Sequence, residues 1–384
     1  MAGQSYNLAD PEVKNIWEKS LDREVRGRDA LLDPETGLAG GENSIVQLRD
    51  ELASTEGSHI RTKFRYQLTG RGKAGNEVLK GSEEPYGTAT DNVYVHTLRH
   101  AYGISSPIVQ QWITEDAMTE GRDGLADWVA TRLSLSLHAH AGGIGLITDN
   151  AYRLHNAINA INSSYIIRPN GKTAGNLTSG DVFDVDILNE VAQFVKTVRP
   201  KIRPAQTPFG PAYCLFLHPE QVADLRRSNS QWFAGMRAAL QGGRIDDNPL
   251  YTHALGWDQG FLILESDFVP PGMNSGETLL NANTRRAWVG GAGALTLAFG
   301  RGYKVDPGTT LNRWKWVSES EDYQYSNAIA VQGILGAKRM RYTKPGEASA
   351  REAGVVVIET YVDHGQLTAA ESFAEWTAIS GVAL

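Results

Sequence analysis

Residues Ile113–Gly143 read ITEDAMTEGRDGLADWVATRLSLSLHAHAGG, and the rest of the chain is arranged around them. Thr114 is placed to cap a helix start, and Glu115, Asp116 and Glu120 put negative charge at its positive end. Leu125, Trp128, Val129, Leu133 and Leu137 recur at three- and four-residue steps, which draws one apolar stripe for a core to cover. Gly142-Gly143 is the stop. A helix over 114–143 would run about 40 Å at about 1.5 Å per residue. Gly121 and Gly124 each cost about 1 kcal/mol relative to Ala, so a break after the first turn is the alternative. With strand-rich sequence on both sides, the helix reads as a spine for sheets.

Ahead of the spine, residues 1–57 are polar with intermittent apolar positions. Asp10-Pro11 opens an amphipathic helix whose stripe is Val13, Ile16, Trp17, Leu21 and Val25. PETGLAGGEN then links it to the body. Such a leashed helix needs a surface to lie on, its own body or a neighbouring subunit. In 58–106, HIRTKFRYQL and NVYVHTLRHAYGIS read as two strands separated by the long charged loop TGRGKAGNEVLKGSEEPYGTATDN. Long loops of this kind are usually functional, and an isolated two-stranded arm is marginal in water, so it too calls for a partner.

Beyond the spine, 144–180 is Asn/Ser/Gly-rich loop, and DVFDVDILNEVAQFVKTVRP is a helix ended by Pro200. Residues 206–345 read as a separate α/β unit. AYCLFL, DQGFLILES and the glycine-rich RAWVGGAGALTLAFG supply buried strands, PEQVADLRRS and SQWFAGMRAALQGG supply helices, and 313–342 adds further strands. AGVVVIETYVDHGQ is a closing β-branched strand before a short polar tail.

The chain has 384 residues, 40 glycines, one cysteine and a net charge of −7. Its apolar share is ordinary, so it can bury a core. Lys and Arg are interspersed with Asp and Glu, so no basic run marks a nucleic-acid footprint. Cys214 alone rules out an intramolecular disulfide or a cysteine zinc site, and its AYCLFL setting makes it a buried thiol. No basic region followed by an apolar run opens the sequence, and no apolar stretch of about 18 residues occurs. A reducing, soluble compartment is expected.

Catalytic motifs fail individually. Gly72-Lys73 lacks the earlier glycine and the Ser/Thr of a phosphate loop, and 290–295 does not complete a dinucleotide fingerprint. His138 and His140 lie about 200° apart on a helix and cannot share an ion, and no His-Glu pair at zinc-protease spacing includes them or His155. His253 and His364 have no nucleophile motif nearby. No catalytic residue, metal site or cofactor is expected. Arg313-Trp314-Lys315-Trp316 and Phe64-Arg65-Tyr66 offer a rival reading as base-stacking platforms.

LTGRGKAGNEVLKGSEEPYG, VYVHTLRHAYGIS, DGLADWVATRL, FLHPEQVADLRRSNSQWFAGMRAAL and NPLYTHALGWDQGFLILES, in that order, resemble the major capsid proteins of phages related to the podophage N-four. The resemblance implies an α+β chain with the tailed-phage and herpesvirus capsid fold. In it, 1–57 becomes an N-terminal arm and 58–106 an extended loop. Residues 107–205, with the spine at 114–143, become a peripheral domain, 206–345 an axial domain, and 346–384 a strand returning to the peripheral domain plus the tail. It implies self-assembly into hexamers and pentamers of an icosahedral virion shell, built in the host bacterial cytoplasm. Portal and scaffolding or decoration proteins are implied partners; double-stranded DNA lies inside without sequence-specific contacts, and no membrane is involved. Expected intersubunit contacts are Arg71, Lys73, Lys80, Glu83 and Glu84 in the loop, and Val13, Ile16, Trp17 and Leu21 in the arm. A tail or decoration protein is the rival virion reading.

Overall fold

Ala117–Gly142 forms one unbroken 26-residue helix, α1, about 40 Å long at about 1.5 Å per residue. The computed structural model describes residues 21, 31–32, 38–53, 56–65, 70–83, 88–104, 117–199, 201–207, 210–228, 234, 254–301, 313–321, 326–343 and 349–381. The expected cap at Thr114, with Glu115 and Asp116, lies outside the described residues. Gly121 is required by space, because a Cβ there would sit 2.4 Å from the Tyr102 ring. At the far end Gly143 takes φ +69° and Ile144 N–H donates to the Ala139 carbonyl at 3.1 Å, closing a Schellman turn. Leu125, Val129, Leu133 and Leu137 are buried, while Trp128 is half-buried at the stripe's edge. From Leu133 to Gly142 every residue is buried, Ser134, Ser136, His138 and His140 included. The stripe widens to the whole circumference because α1 packs against strands of two different sheets.

Ahead of α1 come β1 (Ala39–Gly40), β2 (Val46–Arg49), β3 (His59–Arg65), β4 (Thr88–Tyr94) and β5 (His96–Ile104). Behind it follow β6 (Ile166–Ile167), helix α2 (Val185–Thr197), β7 (Ala205–Thr207), β8 (Gly210–Leu217), helix α3 (Pro219–Ser228), β9 (Ala254–Asp258), β10 (Phe261–Glu265), β11 (Pro271–Met273) and β12 (Leu280–Gly290). The chain continues through β13 (Leu295–Phe299), β14 (Trp314–Glu321), β15 (Ser326–Arg339), β16 (Arg341–Tyr342), β17 (Arg351–Glu352), β18 (Val355–Tyr361) and helices α4 (Ala369–Ser372) and α5 (Ala374–Ser380). In α2, Asp184 caps the Ile187 N–H at 2.9 Å and Leu188, Val191 and Val195 face the core.

The larger sheet runs β6-β18-β12-β8-β10-β9, with β11 on β12 and β7 on β8. The second runs β1-β2-β13-β15-β14, with β5 also on β15. β3 and β4 form a separate antiparallel hairpin in register His59↔Tyr94 to Arg65↔Thr88. Strands buried on both faces, β8 and β18, are the β-branched and aromatic runs of the sequence.

Sheet membership corrects several sequence readings. RAWVGGAGALTLAFG is two strands, β12 and β13, in different sheets; its glycines make the turn between them, with Gly293 at φ +70°. In DQGFLILES the strand starts only at Phe261, because Gln259 and Gly260 both have positive φ and form a hairpin turn from β9. NVYVHTLRHAYGIS breaks at Val95, so β4 stays in the hairpin while β5 joins β15. β13 joins β2, and β15 joins β5, so strands from before the spine complete the second sheet. β18 lies between β6 and β12 of the larger sheet. One continuous apolar core spans both sheets. The end of the arm is structural too, since β2 is paired on both edges and Leu38, Ile45 and Val46 are buried. The polar tail folds as α4 and α5 under a Thr368–Glu371 capping box, burying Phe373 and Trp376.

Candidate functional site

The β3–β4 hairpin carries the loop in which intersubunit contacts were expected. Within its described tip, residues 70–83, Arg71 and Lys73 both approach Glu77, at 3.5 and 3.7 Å. Glu83 accepts from the Gly81 N–H at 2.8 Å. Lys80 is exposed, and Glu84 lies outside the described residues. The tip's main feature was not singled out from sequence: Val78 and Leu79 are 73% and 62% exposed, side by side. Their signal was present, as an apolar pair inside a charged, glycine-punctuated loop. In the arm, Val13, Ile16 and Trp17 lie outside the described residues. Leu21, expected on a neighbour, is 1% exposed and belongs to the chain's own core. An apolar stripe cannot by itself say whose surface covers it.

The hairpin is fastened where it meets the body. Tyr94 N–H donates to Asn156 Oδ1 and Asn156 Nδ2 donates to the Tyr94 carbonyl, both at 2.9 Å, so an amide side chain imitates a neighbouring strand. Gly336 lets Tyr94 come this close, since a Cβ would lie 1.9 Å from its carbonyl oxygen. Lys338 bridges Asp91 and the Asn92 carbonyl from below. Leu154 and His155 hold φ of +46° and +62° to present Asn156, and His155 stacks on His96 with ring centroids 4.4 Å apart. Nothing in the Asn-rich 144–180 stretch distinguished Asn156 from its neighbours.

A second constellation holds the end of the spine. Helix C-termini leave carbonyls without partners and carry partial negative charge. Arg339 Nη1 donates to the His140 carbonyl at 2.8 Å, and Arg286 Nη1 to the Gly142 carbonyl at 3.3 Å. Each arginine is buried against a buried glutamate. Arg339 Nε meets Glu352 at 2.8 Å, and Arg286 lies 3.7 Å from Glu359, which Arg168 also binds at 2.6 Å. These pairs tie α1 to both sheets, since Arg339 is on β15 and Arg286 on β12.

The histidines weighed as ligands have structural partners. His138 Nδ1 accepts from Trp288 Nε1 at 3.0 Å and its Nε2 lies 3.3 Å from Ser266 Oγ. His140 Nε2 donates to the Arg153 carbonyl at 3.0 Å; its complete burial pulls its pKa down to about 4, aided by the charges of Arg339 and Lys338. His364 and His218 flank Glu220 at 2.9 and 3.1 Å, beside Arg285 at 2.8 Å. Burial alone would raise the Glu220 pKa, but hydrogen bonds from His218, Ser372 and His364 and the charge of Arg285 hold it well below the usual carboxylate range. Ser372 donates to Glu220 at 2.7 Å, not to a histidine, so this cluster does not assemble a serine–histidine pair. Trp314 and Trp316 are buried, and Arg313 is engaged by Asp50 at 2.7 Å, which removes 313–316 as a stacking surface. Among the described residues, no helix is long and apolar enough to cross a membrane and no metal-type cluster occurs.

A long helix packed on two sheets, with a projecting hairpin, is the architecture of tailed-phage capsid subunits. The structure superposes on the capsid of Ralstonia phage GP4 with a TM-score of 0.67 at 21% identity, over 87% of this chain and 92% of that one. The cyanophage Pam1 capsid gives 0.68 at 17% identity over 88% and 94%. The head of Helicobacter pylori bacteriophage KHP40 gives 0.58 at 14% over 84% and 90%. A comparison with curated proteins gives no match. The profile of the family described as phage capsid protein matches residues 19–364, and the chain belongs to that family. It is a structural component of the virion capsid that associates with its own copies into a shell.

Proposed function

We propose that this chain is the major capsid protein, forming hexamers and pentamers of an icosahedral shell around double-stranded DNA in the host bacterial cytoplasm, with portal and scaffolding or decoration proteins as partners. In this reading residues 107–205, with α1 and α2, are the peripheral domain, 206–345 the axial domain, and 346–384 bring β18 back to the peripheral domain. The observation that carries it is the hairpin, anchored at Tyr94 with Val78 and Leu79 exposed side by side at its tip. Burying each side chain is worth about 1.5–3 kcal/mol. An exposed ion pair from Arg71, Lys73, Lys80 or Glu83 is worth about 0–1 kcal/mol. The apolar pair therefore supplies strength and the charges set register. Modest contacts of this size, repeated around a ring and across a shell, add up through multivalency.

The test is Val78→Asp with Leu79→Asp, read by sedimentation and negative-stain microscopy. The expected result is a folded subunit with unchanged melting that no longer forms shells or rings. Shells at wild-type yield would remove the hairpin tip from the assembly contact.

A further inference from the structure

A cleft of about 460 Å³ opens between the base of the hairpin, β2, the segment 201–203 and the β12–β13 turn. In a chain of net charge −7, its wall carries Arg49, Lys63, Lys201 and Arg203 against the single carboxylate of Glu42. Arg49 is shared with Glu51 at 3.0 Å. Lys63, Lys201 and Arg203 are exposed, and among the described residues no carboxylate lies within ion-pair distance of them. Their placement is built in. Ile202 is buried between Lys201 and Arg203, so both cations leave on the opposite side, and the Arg203 carbonyl accepts from Ala292 N–H at 2.8 Å.

Unpaired cations converging from separate segments on one cleft call for a compact ligand with several charged oxygens. Carboxylates on a peptide bring one charge per side chain and must be ordered one at a time. Linked phosphates bring their charges and acceptors already concentrated. We infer that this cleft binds clustered phosphate groups, with Lys63, Lys201 and Arg203 holding the charge. Such groups have two sources, a free polyphosphate or the backbone of a nucleic acid.

The test is isothermal titration of the full chain with sodium tripolyphosphate and, separately, with a short DNA duplex, at about 50 and about 200 mM NaCl. The wild type should bind at the lower salt and weaken at the higher. Lys201→Gln with Arg203→Gln should lose at least about tenfold in affinity and lower the duplex salt slope by about 2. Lys63→Gln, on a separate wall of the cleft, should lose tripolyphosphate affinity severalfold. Lys196→Gln, on α2 and outside the cleft, should bind as the wild type does, and circular dichroism confirms the fold of each variant. Equal site-dependent binding of both probes assigns the cleft to free polyphosphate-like groups; binding of the duplex alone assigns it to the nucleic-acid backbone. Absent wild-type binding, an unaffected double variant or an equal loss in Lys196→Gln would overturn the inference. So would displacement of the phosphate probe by a peptide of residues 76–84, which would give the cleft to a neighbour's hairpin.

Discussion

Replacing Arg339 with Met removes one side chain from five acceptor atoms. The guanidinium meets Glu352 at 2.8 and 3.3 Å and the carbonyls of His140, Asn159 and Ala160 at 2.8, 2.9 and 3.1 Å. Glu352 is 2% exposed, so the substitution strands a carboxylate in the interior. Removing one partner of a buried ion pair costs about 3–5 kcal/mol. Losing the cation at the spine's C-terminus adds about 0.3–1 kcal/mol. The total, about 3–6 kcal/mol, is a large share of the roughly 5–15 kcal/mol that keeps a protein folded. Urea unfolding of the unassembled subunit, followed by far-ultraviolet circular dichroism and tryptophan fluorescence, reads the loss directly. The double variant Arg339→Met with Glu352→Leu removes the stranded charge and should recover about 2 kcal/mol or more relative to the sum of the single losses. The pKa of His140 should also rise in Arg339→Met, because the Arg339 charge helps to depress it. A single variant costing under about 1 kcal/mol, or a cycle with no coupling, would refute the idea that this pair locks the spine.

The pH dependence has two opposing contributions. His140 is held near pKa 4 against 6.5 unfolded, so as pH falls from 6.5 to 4 the unfolded state gains protons first and about 3 kcal/mol is lost; His140→Gln should flatten that slope in pH-resolved denaturation. Burial raises Asp224 to about 6 from 3.8, so stability falls as pH rises through that window, and Asp224→Asn should melt higher than wild type at pH 7 but not at pH 4. Gly143→Ala should destabilise the subunit by more than about 1 kcal/mol in thermal melts, since φ is +69° and a Cβ would lie 2.5 Å from Ile161. By contrast Gly124→Ala meets nothing within 4 Å and should stabilise the isolated subunit by about 0.5–1 kcal/mol in the same melts. Asn156→Ala leaves both backbone groups of Tyr94 without the side-chain amide, costs about 1–3 kcal/mol, and should speed hydrogen exchange at 93–97 without changing α1.

β8 and β18 were legible as short apolar runs of strand length, and α2 and the spine by a helical period held over many residues. The spine's all-round burial was not, since Ser134, Ser136, His138 and His140 look solvated until two sheets cover them. The tail helices left a signal in Thr368-Ala-Ala-Glu371, a capping box with Phe373 and Trp376 close behind. Sheet membership was hidden for a different reason: β12 and β13 are neighbours in sequence, yet what assigns them to separate sheets is pairing with β18 and β2, far away along the chain. The hairpin could be read from alternation and loop length. Its anchor could not, because Asn156 acts on Tyr94 and Arg339 acts on His140 through contacts that no local pattern records.

The pairing of β2 with β13 and of β5 with β15 also sets an order of events in synthesis. Val46 meets Leu295 and His96 meets Leu335, so the early strands wait for partners made more than 200 residues later in the chain. Non-local pairings of this kind close slowly. Until β15 emerges, β5 lacks the strand it pairs with, and Lys338, which grips the hairpin at Asp91, has not been made. A nascent chain that ends before Lys338 therefore lacks the grip that holds the hairpin to the body.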